Sequence, residues 1–320
     1  MTTYKEIKGT QIEVLSSDPS NPLDGQVWFN STDNVLRGNV GTPVVAWSTV
    51  NSLNQARTST SGAGIATAAL VVGGYSTTNI ADTESWNGSN WTEVNNLNTA
   101  RSSTGSMGTY TAALTFGGSG SPSYLSNTET WNGSNWTEVN DLNSARRALP
   151  GAGTNTAGLA IGGFEPPGTN KVESWNGTNW TETTDLNTPR YASAGAGIQT
   201  AALLIGGAGG TPKTELWNGS NWTEVNDLNQ GREALMGSGV QTSAVAYGGT
   251  TPAGAATESW NGTNWTEVND LNNGRIRAAS AGATNTSALA SGGVPAPGSP
   301  SNVAFAEQFA GLTTKTFTDS

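Results

Sequence analysis

The 320-residue chain has no cysteine and no histidine. Without cysteine there is no disulfide, and the redox compartment leaves no mark on the sequence. Without either residue, Ser-His and Cys-His nucleophiles are excluded, and zinc ligands reduce to carboxylates. Charge is scarce too, at 12% of residues with a formal net of -10. A highly charged disordered chain is thereby excluded. Nucleic acid is not an expected partner, because its binding needs cations to displace counterions from phosphates. There is no run of about 18 apolar residues, so no membrane insertion is expected. Residues 1–20 lack the apolar segment of a signal peptide, and the expected route out of a cell is lysis or another path needing no such peptide. No stretch sustains a helical period, which makes the chain all-β and leaves no glycine loop opening a helix to cradle a phosphate.

What is abundant is glycine, at 42 residues, and tryptophan, at 12, in a chain only 34% hydrophobic. Such a core is thin and distributed, with the tryptophans carrying much of the burial, roughly 150–250 Å² per aromatic. The tryptophans recur. Thr83-Glu-Ser-Trp86-Asn-Gly-Ser-Asn-Trp91-Thr-Glu-Val94 returns with small changes at Thr128 to Val139, Val172 to Thr183, Thr214 to Val225 and Thr257 to Val268. Glycine pairs at Gly73, Gly117, Gly162, Gly206, Gly248 and Gly292 stand 44, 45, 44, 42 and 44 residues apart. A period of this length indicates a solenoid or a propeller.

Each unit offers four strands: one after an arginine (around Ser61 to Ile65), an apolar one ending at the glycine pair (Thr67 to Val72), and one on each tryptophan (Thr83 to Trp86, Trp91 to Val94). Asn87-Gly88-Ser89-Asn90 makes the hairpin between the last two, since Asn-Gly tolerates positive φ. Four antiparallel strands per unit predict a β-propeller of four-stranded blades. Residues 57–320 supply six units, the last degenerate, with Glu307 to Gly311 and Lys315 to Asp319 as its final strands. Residues 1–56 read as strands at Thr10 to Leu15, Gln26 to Asn30, Val35 to Gly38 and Val44 to Val50. Counting one period back from Gly73 lands on the Gln26 to Asn30 strand, so a seventh, divergent blade is favoured. The alternative is six blades, with N-terminal strands latching onto the last. Divergent end units suit either closure.

The pairs Trp86 and Trp91, Trp131 and Trp136, Trp175 and Trp180, Trp217 and Trp222, and Trp260 and Trp265 are read as packing between blades, in preference to sugar stacking. Arg57, Arg101, Arg146, Arg190, Arg232 and Arg275 match Glu84, Glu129, Glu173, Glu215, Glu258 and Glu307 one for one. A repeated fork-like ion pair, or arginine-to-carbonyl bonding, is favoured over a charged ring for an anionic ligand. A second row, Glu93, Glu138, Glu182, Glu224 and Glu267, belongs on an exposed edge strand, where charge discourages sheet-to-sheet pairing. A calcium loop and glycosidase carboxylates are weaker readings of that row. Asn87-Gly-Ser89 and Asn90-Trp-Thr92 match the glycosylation acceptor pattern but are read as turn chemistry. The connections after the glycine pairs vary most and carry Tyr75, Tyr124 and Phe164. Function on repeat scaffolds sits where the units differ, so these three are the candidate binding residues on one loop face, against the alternative of unconstrained drift.

The double glycine, with an aromatic 12 residues on and a tryptophan 5 beyond that, resembles the Kelch repeat, tryptophan standing where that family has tyrosine. The N-terminal Tyr4 to Ile12 and Asp18 to Gly38, with the core Gly25-Gln-Val-Trp-Phe-Asn-Ser-Thr32, resemble the opening of Kelch-like proteins of tailed bacteriophages. The resemblance implies a non-enzymatic virion component, structural or host-attaching, in a tail, fibre, baseplate or capsid. The expected partners are other virion proteins and a host surface glycan or receptor. No cofactor is expected, and a homo-oligomer fits cyclic virion symmetry. No helical adaptor domain accompanies the repeats, unlike cellular Kelch adaptors. The alternatives are a glycan-binding lectin propeller and a hydrolase with acidic groups in its channel.

Overall fold

The computed structural model describes residues 13–17, 27–32, 34–38, 46–121, 123–250, 254–296 and 301–310. The chain divides into two compact units, one of residues 1–45 and 311–320, the other of residues 46–310. In the first, β1 (Glu13–Leu15), β2 (Val27–Asn30) and β3 (Val35–Gly38) form a three-stranded sheet. There β1 is parallel to β2, and β2 antiparallel to β3.

The second unit opens with β4 (Ala46–Val50) and then repeats one plan. Blade 1 is β5 (Ser61–Ile65), β6 (Ala68–Tyr75), β7 (Asn79–Trp86) and β8 (Trp91–Val94). Blade 2 is β9 to β12 (Gly105–Thr109, Ala112–Phe116, Thr128–Trp131, Trp136–Val139), and blade 3 is β13 to β16 (Gly151–Gly153, Gly158–Ile161, Val172–Trp175, Trp180–Glu182). Blade 4 is β17 to β20 (Ala194–Ile198, Ala201–Ile205, Thr214–Trp217, Trp222–Val225), and blade 5 is β21 to β24 (Met236–Val240, Ser243–Tyr247, Thr257–Trp260, Trp265–Glu267). A two-residue ladder joins β25 (Arg275–Ile276) to β28 (Val294–Pro295). Blade 6 holds β26 (Ala279–Thr284), β27 (Ser287–Ser291) and β29 (Ala306–Ala310). Its fourth strand is β4, in the order β26-β27-β29-β4. All six sheets are antiparallel, and the described residues contain no helix.

The fold is therefore a six-bladed β-propeller, and the seven-blade count is corrected. Phe309 lies opposite Trp47 and Gln308 opposite Ser48, so β4 completes the last blade. The Lys315 to Asp319 strand falls outside the described residues. In blade 1 the second strand runs through the glycine pair to Tyr75, with a register shift between Val72 and Gly74, and the third begins at Asn79. The connection there is shorter than the Tyr75 to Asp82 loop the sequence suggests.

Six blades crowd the axis. A Cβ added at Gly62 would lie 2.4 Å from the Ser280 carbonyl oxygen. The innermost strands are accordingly built mostly from glycine, alanine and serine, which permit close backbone approach. Their ends are tied into a closed ring. Ser103 N donates to Ser59 O (2.7 Å), Ala148 N to Ser103 O (2.8 Å), Ala192 N to Ala148 O (2.9 Å), Ala234 N to Ala192 O (2.7 Å), Arg277 N to Ala234 O (3.0 Å) and Ser59 N to Arg277 O (2.9 Å). All six residues have φ between 51 and 55°. That left-handed conformation costs roughly 1–2 kcal/mol for an L-residue, and the cyclic bonding holds it.

The core lies between blades rather than within them. Ala63, Leu70 and Val72 of blade 1 pack with Trp131 and Trp136 of blade 2, and the interface from blade 6 to blade 1 repeats this with Trp86 and Trp91. Ring centroids within each tryptophan pair are 5.1 to 5.3 Å apart. In blade 6 Phe309 replaces the first tryptophan, 5.0 Å from Trp47.

Candidate functional site

The frame under the loop face is a buried ion pair in every blade. Arg57 pairs with Glu84, Arg101 with Glu129 (2.9 Å), Arg146 with Glu173, Arg190 with Glu215, Arg232 with Glu258 (3.2 Å) and Arg275 with Glu307, every partner being at most 2% exposed. Burial lowers the pKa of Arg101, Arg190, Arg232 and Arg275, and the facing glutamate opposes that shift. Each arginine also donates to backbone carbonyls, as Arg57 does to Asp82 O at 2.7 Å. The second glutamate oxygen is taken by an asparagine that the sequence reading passed over. Asn98 donates both its backbone N–H and its amide to Glu129 Oε2 at 2.8 Å, and Asn54, Asn143, Asn187, Asn229 and Asn272 do the same in their blades. Thus the Leu-Asn-x-x-Arg linker leaving one blade clamps the third strand of the next.

The glycine pair receives the same linker. Gly74 N donates to Arg101 O at 2.9 Å, and a Cβ at Gly73 (φ 55°) would stand 2.6 Å from that oxygen. No larger residue fits where the neighbouring backbone approaches so closely.

Trp86, Trp91 and the eight other paired tryptophans are all buried, with their rings turned to neighbouring blades rather than to solvent. Glu93, Glu138, Glu182, Glu224 and Glu267 are exposed on the outermost strands. The Asn87 side chain accepts from Ser89 N (2.9 Å) and Asn90 N (2.8 Å), closing the hairpin locally. Among the described residues no group of three or more carboxylates is placed to hold a metal ion.

The connections entering and leaving the blades meet on one face, where Tyr75 bridges Thr58, Ser119 bridges Ser102 and Phe164 bridges Arg147. Two of the three candidate binding residues come together there. Tyr124 and Phe164 are 5.9 Å apart edge to face, and Phe164 meets Tyr191 at 4.8 Å. The Arg147 guanidinium lies 5.4 Å from the Tyr124 ring centroid and 5.0 Å from that of Phe164. Blades 2, 3 and 4 thus contribute one aromatic–arginine patch. Tyr75 stands apart on blade 1, 43% exposed, beside a depression of about 400 Å³. Below lies the axial cavity, about 380 Å³, in which Glu233 is the one carboxylate among the described lining residues.

No family model matches the chain, and no curated protein matches it. Among solved structures it is similar to one titled "Structure of YjhT", with a TM-score of 0.66 and 13% identity over 80% of this chain and 95% of that one. That likeness shows the propeller fold alone.

Proposed function

We propose that the chain is a non-enzymatic binding propeller, serving as a structural or host-attachment component of a tailed-phage virion. The observation that carries this reading is the patch of Tyr124, Phe164, Tyr191 and Arg147, built where the blades differ and set on a frame that repeats almost unchanged. Half-exposed aromatics and an arginine held over them are the groups that dominate protein recognition surfaces. The N-terminal resemblance to Kelch-like phage proteins supports the virion assignment. Retaining or inverting hydrolysis needs two carboxylates across a cleft, and the axial cavity offers only Glu233 among its described lining residues.

The test is to purify the parent particle and quantify the chain. Stoichiometric amounts support the reading, and its presence only in infected-cell lysate removes it. The triple variant Tyr75→Ser, Tyr124→Ser, Phe164→Ser is expected to weaken binding to the partner or host surface, and unchanged affinity discards the loop face. The lectin reading rests on Tyr75, an exposed ring beside a hydroxyl-lined depression. A glycan array that returned one defined sugar would promote it.

A further inference from the structure

The depression beside Tyr75 differs in charge from the rest of a chain with a net charge of -10. Its floor is Thr58, Ser59, Ser102 and Ser103, and Arg147 and Arg277 line it as well. Arg147 directly follows the paired arginine of blade 3, whereas Arg277 is two residues beyond that of blade 6 and belongs to the axial ring, with the linker residues of blades 1 and 2 between them. No carboxylate is among the described residues that line it. The other cations of residues 46–310 are all neutralised. Six arginines are in the buried pairs, Lys171 meets Glu165 and Lys213 meets Glu224. Among the described residues of this unit, Arg147 and Arg277 are the cations with no carboxylate partner.

Polar capacity is also left over. Thr58 Oγ1 and Arg147 Nε are buried without a hydrogen-bond partner among the described residues. Leaving a buried donor or acceptor unmet costs about 1–3 kcal/mol. An unmet Nε is shared with Arg57, Arg101, Arg190 and Arg232, so what sets this pocket apart is the Thr58 hydroxyl beside two cations without carboxylates. The walls are already fixed. Stacking on Tyr124 and Phe164 holds the Arg147 guanidinium, while the Arg277 backbone is locked at φ 55° in the axial hydrogen-bond ring. Thr58 and Tyr75 exchange backbone bonds of 2.9 and 2.7 Å. A preorganised site loses less on ordering when a ligand arrives.

We propose that this depression is an oxyanion-binding site, in which Arg147 and Arg277 flank a carboxylate or phosphate group and the hydroxyl floor receives the polar body that bears it. The planar guanidinium fork suits both oxyanions, and the two sources are an acidic sugar and a phosphorylated ligand. The proposal rests on the loop-face reading only for its choice of face.

Isothermal titration at pH 7 and low salt tests it, using D-glucuronate, inorganic phosphate and, as the neutral control, D-glucose. The expected result is saturable binding of at least one anion, weakened by salt because exposed charges are screened. Arg147→Gln and Arg277→Gln should each lower affinity about tenfold or more, the size expected for hydrogen bonds to charged groups. The double variant should show no saturable binding at an unchanged melting temperature. Should Arg147→Gln unfold, the exposed Arg277 carries the test alone. Preference for glucuronate or for phosphate identifies the source. No saturable binding of either anion, equal binding of glucose, or wild-type affinity in the double variant overturns the site. Absence of the chain from particles would remove the virion reading and leave this measurement untouched.

Discussion

Trp222 Nε1 is buried with no hydrogen-bond partner among the described residues, and the residue that stands where its partner belongs is Val172. In the equivalent interfaces Trp136 donates to Thr83 Oγ1 (3.2 Å), Trp180 to Thr128 (3.1 Å), Trp265 to Thr214 (3.1 Å) and Trp47 to Thr257 (3.1 Å). Trp91 faces Ala306, which also lacks the hydroxyl, and donates instead to the Asn51 carbonyl at 2.9 Å. Val172→Thr restores the acceptor at a site where threonine is buried in four other blades. It should stabilise the protein by about 1 kcal/mol, the net worth of a hydrogen bond. The converse, Thr128→Val, should cost about 1–3 kcal/mol by stranding Trp180. Denaturant titration of both variants checks the pair, and a loss of stability in Val172→Thr would count against it.

The ion pairs make a second prediction. Arg101→Met leaves Glu129 buried with only the Asn98 N–H groups for company. Breaking one partner of a buried pair costs about 3–5 kcal/mol. Glu129→Gln keeps an acceptor for Asn98 and should cost less. Because the two residues act together, the double variant should be more stable than the sum of the single losses implies. Additive losses measured by chemical denaturation would mean that Arg101 serves the carbonyls of Gly117 and Asn127 and not the carboxylate.

Features with a local, repeated cause were legible in the sequence. Asn87-Gly88 makes its own turn, Trp86 and Trp91 sit opposite each other across it, and the glycine pair recurs because the backbone of the next linker arginine, Arg101 for Gly73-Gly74, packs on it in every copy. Closure was not local. Trp47-Ser-Thr-Val50 matches the fourth strand of a unit but has no third strand of its own beside it, and its partner Gln308 lies 260 residues on. Counting periods back from Gly73 pointed to Gln26 to Asn30 instead. Asn54 was visible in the repeated Leu-Asn-x-x-Arg, but its role depends on the second oxygen of Glu84, which only the folded blade reveals. Tyr191 stands where other copies carry Thr58, Ser102, Arg147, Glu233 and Ile276. Nothing in chain order links it to Phe164, and that contact crosses between blades.

Tyr247 gives the interface of blades 5 and 6 a pH dependence. Its ring packs on Trp47 at 4.8 Å, and its hydroxyl donates to Leu289 O at 3.1 Å and meets Ser238 Oγ at 3.1 Å. Burial raises its pKa above the ordinary 10.0. Above that pH the unfolded chain releases the phenolic proton while the folded one keeps it. The resulting stability is fully present below pH 10 and is lost as pH rises, by about 1.4 kcal/mol per unit. Tyr247→Phe should cost about 1 kcal/mol at pH 8 through its lost hydrogen bonds. The deficit should shrink and then reverse by pH 11. A constant difference between the two proteins from pH 8 to pH 11 would show that Tyr247 titrates as freely folded as unfolded.

The last prediction tests closure of the ring. Ser48 and Gln308 are direct partners across β4 and β29, and Ser48 Oγ donates to Gln308 O at 3.3 Å. Directly opposed positions on antiparallel strands lie about 4.5–5.5 Å apart between Cα atoms, inside the range a disulfide spans. The chain has no cysteine of its own, so Ser48→Cys with Gln308→Cys can form only the intended bond within one molecule. It would join the two ends of the propeller across a closed loop of some 260 residues, for which chain-entropy arguments give stabilisation of about 5 kcal/mol, less any strain. Oxidation should therefore raise the unfolding midpoint of the double variant, reduction should return it to the wild-type value, and neither single variant should respond. If β4 instead belonged to a separate seventh blade, the two thiols would stay free and titrate as such under native oxidising conditions.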